Sequence, residues 1–278
     1  MSLLRRFVQV DVFTAEPLKG NPLAVVIDGA GLSDAQMAAF ARWTNLSETT
    51  FLLPPTDPAA DYLVRIFTPG GELPFAGHPT LGSAHAWLAS GGDPKRPGDV
   101  VQQCGVGLVR VRRDGARLAF AAPPLRRSGP APELRAQVAR ALQLPEPDLL
   151  DVVWVDNGPG WTAARLADAA AVLALRPDFA AMSGLKLGVV GPYAPRGEAD
   201  FEVRAFVPSL SVPEDPVTGS LNAGLALWMQ AAGLAPARYV AAQGAALGRA
   251  GRIHVARQGE DTWIGGDVSP LIHGQVRL

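Results

Sequence analysis

Three short stretches of this 278-residue chain carry side chains able to move a proton. Glu48 lies in NLSETTF, where polar residues meet an apolar run between Leu46 and Phe51. A carboxylate held among apolar neighbours has its pKa raised, which suits a group that both takes and gives a proton near neutrality. The alternative at this position is a solvated loop glutamate. His78, in FAGHP, can donate or accept, and an ordinary imidazole titrates near the working pH. Asp215, in PEDPVTGS, is stiffened by Pro213 and Pro216, and in an extended segment Glu214 beside it points the other way. Other candidates are weaker. His85 falls on roughly the face of His78, but two histidines without cysteine and with few nearby acids make a poor metal site. His254 and His273 read as structural, and Cys104 as a small buried hydrophobe preceding a strand. No P-loop or strand-linked GxGxxG appears, so a nucleotide cofactor has no support.

The elements that must position these groups are written twice. RIFTPGGELPFAGHPTLGSAHAWL, from 65, and RAFVPSLSVPEDPVTGSLNAGLALWM, from 204, share Arg65/Arg204, Phe67/Phe206, Pro69/Pro208 and Pro74/Pro213 at one offset of 139, half the chain. Each reads as an extended segment, a proline-rich turn and a helix, the helices expected at 79–90 and 220–232 with Pro79 at a first helical position. The flanks agree as well. Strands at FVQVDVFT, LAVVI, TTFLL and DYLVRIFT enclose a helix in LSDAQMAAFARWTN, where Ser33 and Gln36 form a capping box and Asn45 a left-handed stop. A hairpin turns at Asp114-Gly115. Residues 122–132 read as a linker, after which helix PELRAQVARALQL, strands DVVWVDNG and WTAARLA, a helix near 168–175, and strands LKLGVVGPY and DFEVRAFVP repeat the order, before a hairpin at GRIHVAR and DTWIGGD. Gene duplication accounts for this better than two unrelated strand–turn–helix units.

Both repeated helices carry few charges, and the second is apolar on nearly every face. A helix apolar all round is buried all round. The expected architecture is therefore α+β: two pseudo-symmetric lobes, each a curved mixed sheet wrapped around a central helix. The lobes are expected at 1–121, joined by a C-terminal strand 268–278, and at 122–267. Each central helix opens on a glycine turn, Ala76-Gly77-His78 and Thr218-Gly219-Ser220. Unpaired N–H groups and the helix dipole favour an anion there, and glycine lets it come close. If the halves are related by a pseudo-twofold axis, both starts can face one cleft that binds a small carboxylate. The competing reading makes His78 and Ser220 ordinary caps.

Bulk properties are those of an ordinary globular protein. Hydrophobic residues are 48%, charged residues 18% and net charge −1, with scattered basic residues that offer no nucleic-acid or membrane surface. No apolar run is long enough for a membrane helix, and MSLLRRFVQVDVF reads as a strand rather than a signal peptide. The one cysteine forms no internal disulfide, and a reducing cytoplasm is expected.

Taken together, GNPLAVV, NLSETTF, RIFTPGGELPFAGHPTLG and EDPVTGS resemble the phenazine-biosynthesis PhzF family, of diaminopimelate-epimerase-like fold, in order along essentially the whole chain. The resemblance implies a cofactor-free, homodimeric isomerase with its site between two lobes. It places the family's catalytic glutamate on Glu48 and its site histidine and aspartate on His78 and Asp215. The glycine and serine of its TGS motif fall on Gly219 and Ser220, and Gly77 and Gly219 would offer backbone N–H groups to a carboxylate. Related epimerases use a cysteine at each helix start; this chain has none there, which leaves a carboxylate as the carbon acid–base. FTPGGELPF departs from the FTPVNELPF of phenazine producers, and 177–193 shows no likeness to them. The expected chemistry is proton transfer at carbon in a small carboxylated molecule, with trans-2,3-dihydro-3-hydroxyanthranilate isomerisation as its type. The alternatives are a racemase or epimerase of an amino or hydroxy acid, and a non-catalytic binding protein on the same fold.

Overall fold

The computed structural model describes residues 3–195, 197–208 and 212–278. They form two compact units, Met1–Ala121 with Gly265–Leu278, and Ala122–Ile264.

The first unit runs β1 (Leu4–Val12), β2 (Asn21–Val26), α1 (Asp34–Thr44), β3 (Glu48–Leu53), β4 (Tyr62–Thr68), β5 (Gly71–Leu73), α2 (Gly77–Ala89), β6 (Asp99–Cys104), β7 (Gly107–Asp114) and β8 (Arg117–Ala121). The second runs β9 (Arg127–Pro130), α3 (Arg135–Leu142), β10 (Asp151–Asp156), β11 (Trp161–Arg165), α4 (Ala169–Ala174), β12 (Lys186–Pro192), β13 (Phe201–Val207), β14 (Val212–Asp215), α5 (Gly219–Ala231), β15 (Arg238–Gln243), β16 (Gly251–Gln258) and β17 (Asp261–Gly266). The last strand, β18 (Val268–Arg277), pairs antiparallel with β1 in the first unit.

Pairing inside each unit follows one scheme. β2 and β3 are parallel across α1, as β11 and β12 are across α4. β4 is antiparallel to β3 and β5 and parallel to β6; β13 is antiparallel to β12 and β14 and parallel to β15. The 13-residue α2 touches β1, β2, β3, β6, β7, β8 and β18. Seven strands spaced about 4.8 Å apart would span roughly 29 Å if flat, far more than a helix about 10 Å wide, so the sheet curls around the helix. Outer helices cover the other face. Met37, Phe40 and Ala41 of α1 pack on Val26, Phe51 and Phe67, while Val138 and Leu142 of α3 and Val172 of α4 pack on Leu187, Val189 and Phe206. Every residue of β13 is buried, the charged Glu202 and Arg204 included.

The repeat has a physical content. Arg65 forks onto Glu72 at 2.7 and 2.6 Å and lies 5.1 Å from the Phe67 ring centroid. Arg204 forks onto Glu214 at 2.8 and 2.8 Å and lies 5.0 Å from that of Phe206. In both units the phenylalanine stands opposite the glutamate across the hairpin. The fourth sequence identity is a coincidence. Leu73 faces Ile66 and Asp215 faces Ala205, so the counterpart of Pro74 is Pro216, not Pro213. The helix starts Gly77 and Gly219 are 142 positions apart against 139 for the arginines, so the second hairpin carries three extra residues. Residues 209–211 of that repeated stretch lie outside the described residues.

Other expectations are corrected. The helices begin two and one residues earlier than their motifs implied, and Pro79 is the third helical residue of α2, with Gly77 first. The stretch 122–132 is not simply a linker, because β9 pairs with β10. PGGELP contains strand β5, and Cys104, though buried, ends a strand of its own, β6. By contrast the capping box at Ser33 and Gln36 and the left-handed Asn45 are present, the latter with φ 53°.

Candidate active site

In the first unit, Glu48 and His78 come together. Glu48 is the first residue of β3, its side chain 16% exposed, and its Oε2 lies 3.4 Å from His78 Nε2. It is neither ahead of the strand nor a solvated loop residue. His78 is the second residue of α2 and 4% exposed. Burial drives its pKa down to about 3, so the ring is neutral across the physiological range. The expectation that it titrates near the working pH is therefore overturned by desolvation. Its other nitrogen, Nδ1, is 3.3 Å from Asn21 Nδ2, and Asn21 is fully buried at the start of β2.

In the second unit, Asp215 ends β14 and its Oδ2 accepts a 2.5 Å hydrogen bond from Thr218 Oγ1. Gln243 ties this turn together: Nε2 donates to Asp215 O and Thr218 Oγ1, while Oε1 accepts from Thr218 N and Asn222 Nδ2. Gly219 opens α5 and Ser220 follows it; Ser220 Oγ accepts from Trp161 Nε1 at 3.0 Å, and its carbonyl from Asn157 Nδ2 at 2.8 Å. The reading of His78 and Ser220 as caps fails. The cap positions are Ala76 and Thr218, and neither makes a side-chain capping bond.

Asn21, Thr218, Gln243 and Trp161 carry no role in the sequence reading. Asn21 was visible only as a letter of GNPLAVV, since its partner lies 57 residues away. Gln243 belongs to β15, a strand without strong pattern. Of the remaining histidines, His85 has its pKa lowered, by burial and by His273. Among the described residues, no group of three or more His, Cys, Asp or Glu is placed to hold a metal ion, and no helix is long and apolar enough to cross a membrane. A cleft of about 860 Å³ in the second unit, bordered by Arg176, Phe179, Arg204 and Glu214, contains none of the expected site residues.

Residues 10–274 match a family model, PhzC-PhzF, described as phenazine biosynthesis-like protein. The chain belongs to this family. A trans-2,3-dihydro-3-hydroxyanthranilate isomerase of Pseudomonas aeruginosa is 34% identical over 263 residues, covering 92% of this chain and 91% of that protein. Antisense-enhancing sequence 1 of Schizosaccharomyces pombe is 38% identical over 227 residues, 77% of this chain and 76% of its own length. The crystal structure of a PhzF-family protein from Enterococcus faecalis aligns over 100% of both chains with a TM-score of 0.81 and 26% identity. The fold is diaminopimelate-epimerase-like, and the protein is an isomerase of the PhzF type.

Proposed function

We propose that the chain moves a proton between carbons of a small carboxylate-bearing molecule, without a cofactor, using Glu48 as the acid–base group. The observation that carries this is the pairing of Glu48 with a buried, neutral His78 at 3.4 Å. The Glu48 carboxylate takes a proton from one carbon, exchanges it with solvent or passes it through a relay, and a proton is delivered to another carbon. A neutral ring beside it adds no charge that would pin the carboxylate in one protonation state.

Each unit's helix start offers binding groups of its own. Gly77 and Gly219 offer backbone N–H groups at helix starts that no cap side chain engages, which suits a carboxylate or a developing negative charge. Ser220 accepts from Trp161 and keeps its own hydroxyl proton to donate. Asp215, held by Thr218, accepts from a substrate hydroxyl or amine and assists proton movement. A carboxylate substrate agrees with the anthranilate in the Pseudomonas relative's name. The family resemblance further supports a cytoplasmic homodimer, which sedimentation and fractionation would check.

The test is turnover of trans-2,3-dihydro-3-hydroxyanthranilate and a panel of cyclic carboxylates in deuterium oxide. Wild type is expected to place one deuteron on carbon with movement of a double bond. Glu48→Gln is expected to lower kcat by about 100-fold or more with an unchanged circular dichroism spectrum. Equal turnover by the variant would sink the proposal. Deuteration at a stereocentre with unmoved double bonds would replace it with racemisation.

A further inference from the structure

We infer that Asn21 is a positioning residue that sets the tautomer of His78, so that the ring presents Nε2–H to the Glu48 carboxylate. This assignment rests on the acid–base role proposed for Glu48 and goes beyond it, since nothing in that role fixes which ring nitrogen carries the proton.

The two ring nitrogens of His78 meet different partners. A neutral imidazole has one N–H and one lone pair, and the partner of either nitrogen decides which is which. Asn21 presents its amide nitrogen, which only donates, to His78 Nδ1 at 3.3 Å. Nδ1 must then hold the lone pair and Nε2 the proton. Nε2 is the nitrogen nearest Glu48 Oε2, at 3.4 Å and short of a formed hydrogen bond, so this tautomer sets a neutral donor beside the carboxylate without an imidazolium. The opposite tautomer would set two acceptors against each other at Glu48 and two donors against each other at Asn21.

Asn21 is well placed to hold this choice. It faces Val12 in the β1–β2 ladder and is fully buried. The residue before it has no room to shift: a Cβ on Gly20 would lie 2.2 Å from Val12 O, and Gly20 N donates to the buried Asp11 Oδ2 at 2.9 Å. The turn thus delivers the amide from a fixed point on a rigid pair of strands. An amide also cannot titrate, so it holds the same tautomer at every pH at which His78 stays neutral.

The test reads the ring directly. In protein labelled with ¹⁵N-histidine, long-range proton–nitrogen correlation is expected to show a pyridine-like Nδ1 and a pyrrole-like Nε2 for His78 at neutral pH, the resonance being assigned by its loss in His78→Gln. Asn21→Asp keeps the shape and replaces the donor with an acceptor. A ring caught between two carboxylates takes a second proton, so both nitrogens of His78 should become pyrrole-like. In the same variant kcat should fall by about tenfold or more, with KM changed much less. A purely structural role would lower the melting temperature without moving the nitrogen shifts. Wild-type protein with Nδ1–H, or Asn21→Asp with unchanged shifts and kcat, overturns the assignment. If Asn21→Asp fails to fold, the wild-type spectrum still decides. If Glu48→Gln keeps full turnover, the acid–base role falls, while the His78 spectrum tests the tautomer separately.

Discussion

His78 loses its ordinary affinity for protons on folding, from 6.5 to about 3, because burial strips its charged form of water. Glu202 moves the other way. It is fully buried on β13 with one oxygen held by Tyr193 Oη at 2.7 Å, and burial lifts its pKa from 4.5 to about 7. The signs follow from which state binds more protons. Below 6.5 the unfolded chain protonates His78 and the folded chain does not, so this residue removes stability as pH falls from 6.5 toward 3. Between 4.5 and 7 the folded chain keeps the Glu202 proton that the unfolded chain has lost, so this residue removes stability as pH rises through that window. Each slope is bounded by about 1.4 kcal/mol per pH unit. Over pH 4.5–6.5 they oppose, so, relative to wild type, Glu202→Gln should make the slope of unfolding free energy against pH more positive and His78→Gln more negative. Urea melts across that range read both slopes; parallel curves for the two variants would refute the assignment. Glu48, His78 and Asp215 stand out as candidates in the sequence because each sits in a compact motif. The neutrality of His78, and the partners Asn21 and Gln243, do not, because burial and contacts between distant strands decide them.

Elements are most legible where their signals are local. The Ser33–Gln36 box and the Asn45 stop lie within 13 residues and bound α1 as expected, whereas β5 and β14 are three and four residues long and exist only as partners of β4 and β13. The central helices, recognised by their lack of charge, depend on glycines to reach their sheets. A Cβ on Gly224 would lie 2.3 Å from Val155 O, a backbone atom fixed in β10. A Cβ on Gly82 would meet only side-chain ends, Leu23 Cδ2 at 2.5 Å, Val12 Cγ2 at 3.0 Å and Val10 Cγ2 at 3.1 Å, which give more readily than a strand carbonyl. Overpacking costs typically about 1–3 kcal/mol and more where nothing can yield, while alanine gains about 1 kcal/mol over glycine in helix propensity. Gly224→Ala should therefore destabilise by about 2–4 kcal/mol and Gly82→Ala by less than about 2 kcal/mol. Denaturant midpoints of the two variants check the order, and equal losses would show that α5 can shift on its sheet as freely as α2.

The repeated fork makes the molecule its own control experiment, since one substructure stands in two settings. Arg65 and Glu72 have side chains 24% and 41% exposed, and Arg65 also reaches the exposed Asp34 at 2.6 Å. Arg204 and Glu214 have the same forked geometry at 5% and 7% exposure, and Arg204 turns its remaining donors to Val172 O at 3.3 Å and Leu175 O at 2.9 Å, tying α4 to the sheet. Geometry held constant, the difference in cost should come from solvent. An exposed pair contributes about 0–1 kcal/mol, because water replaces a lost partner. Removing one member of a buried pair costs about 3–5 kcal/mol, because the remaining charge is left dry. Glu72→Gln is accordingly expected to change stability by less than about 1 kcal/mol. Glu214→Gln should cost about 3 kcal/mol, the low end because two carbonyls still hold Arg204. Added salt should narrow the first effect and leave the second nearly untouched, since screening acts through water. Equilibrium unfolding of both variants at two salt concentrations measures this. Equal losses would mean that the hairpin geometry, rather than burial, fixes the energy of the fork in both halves.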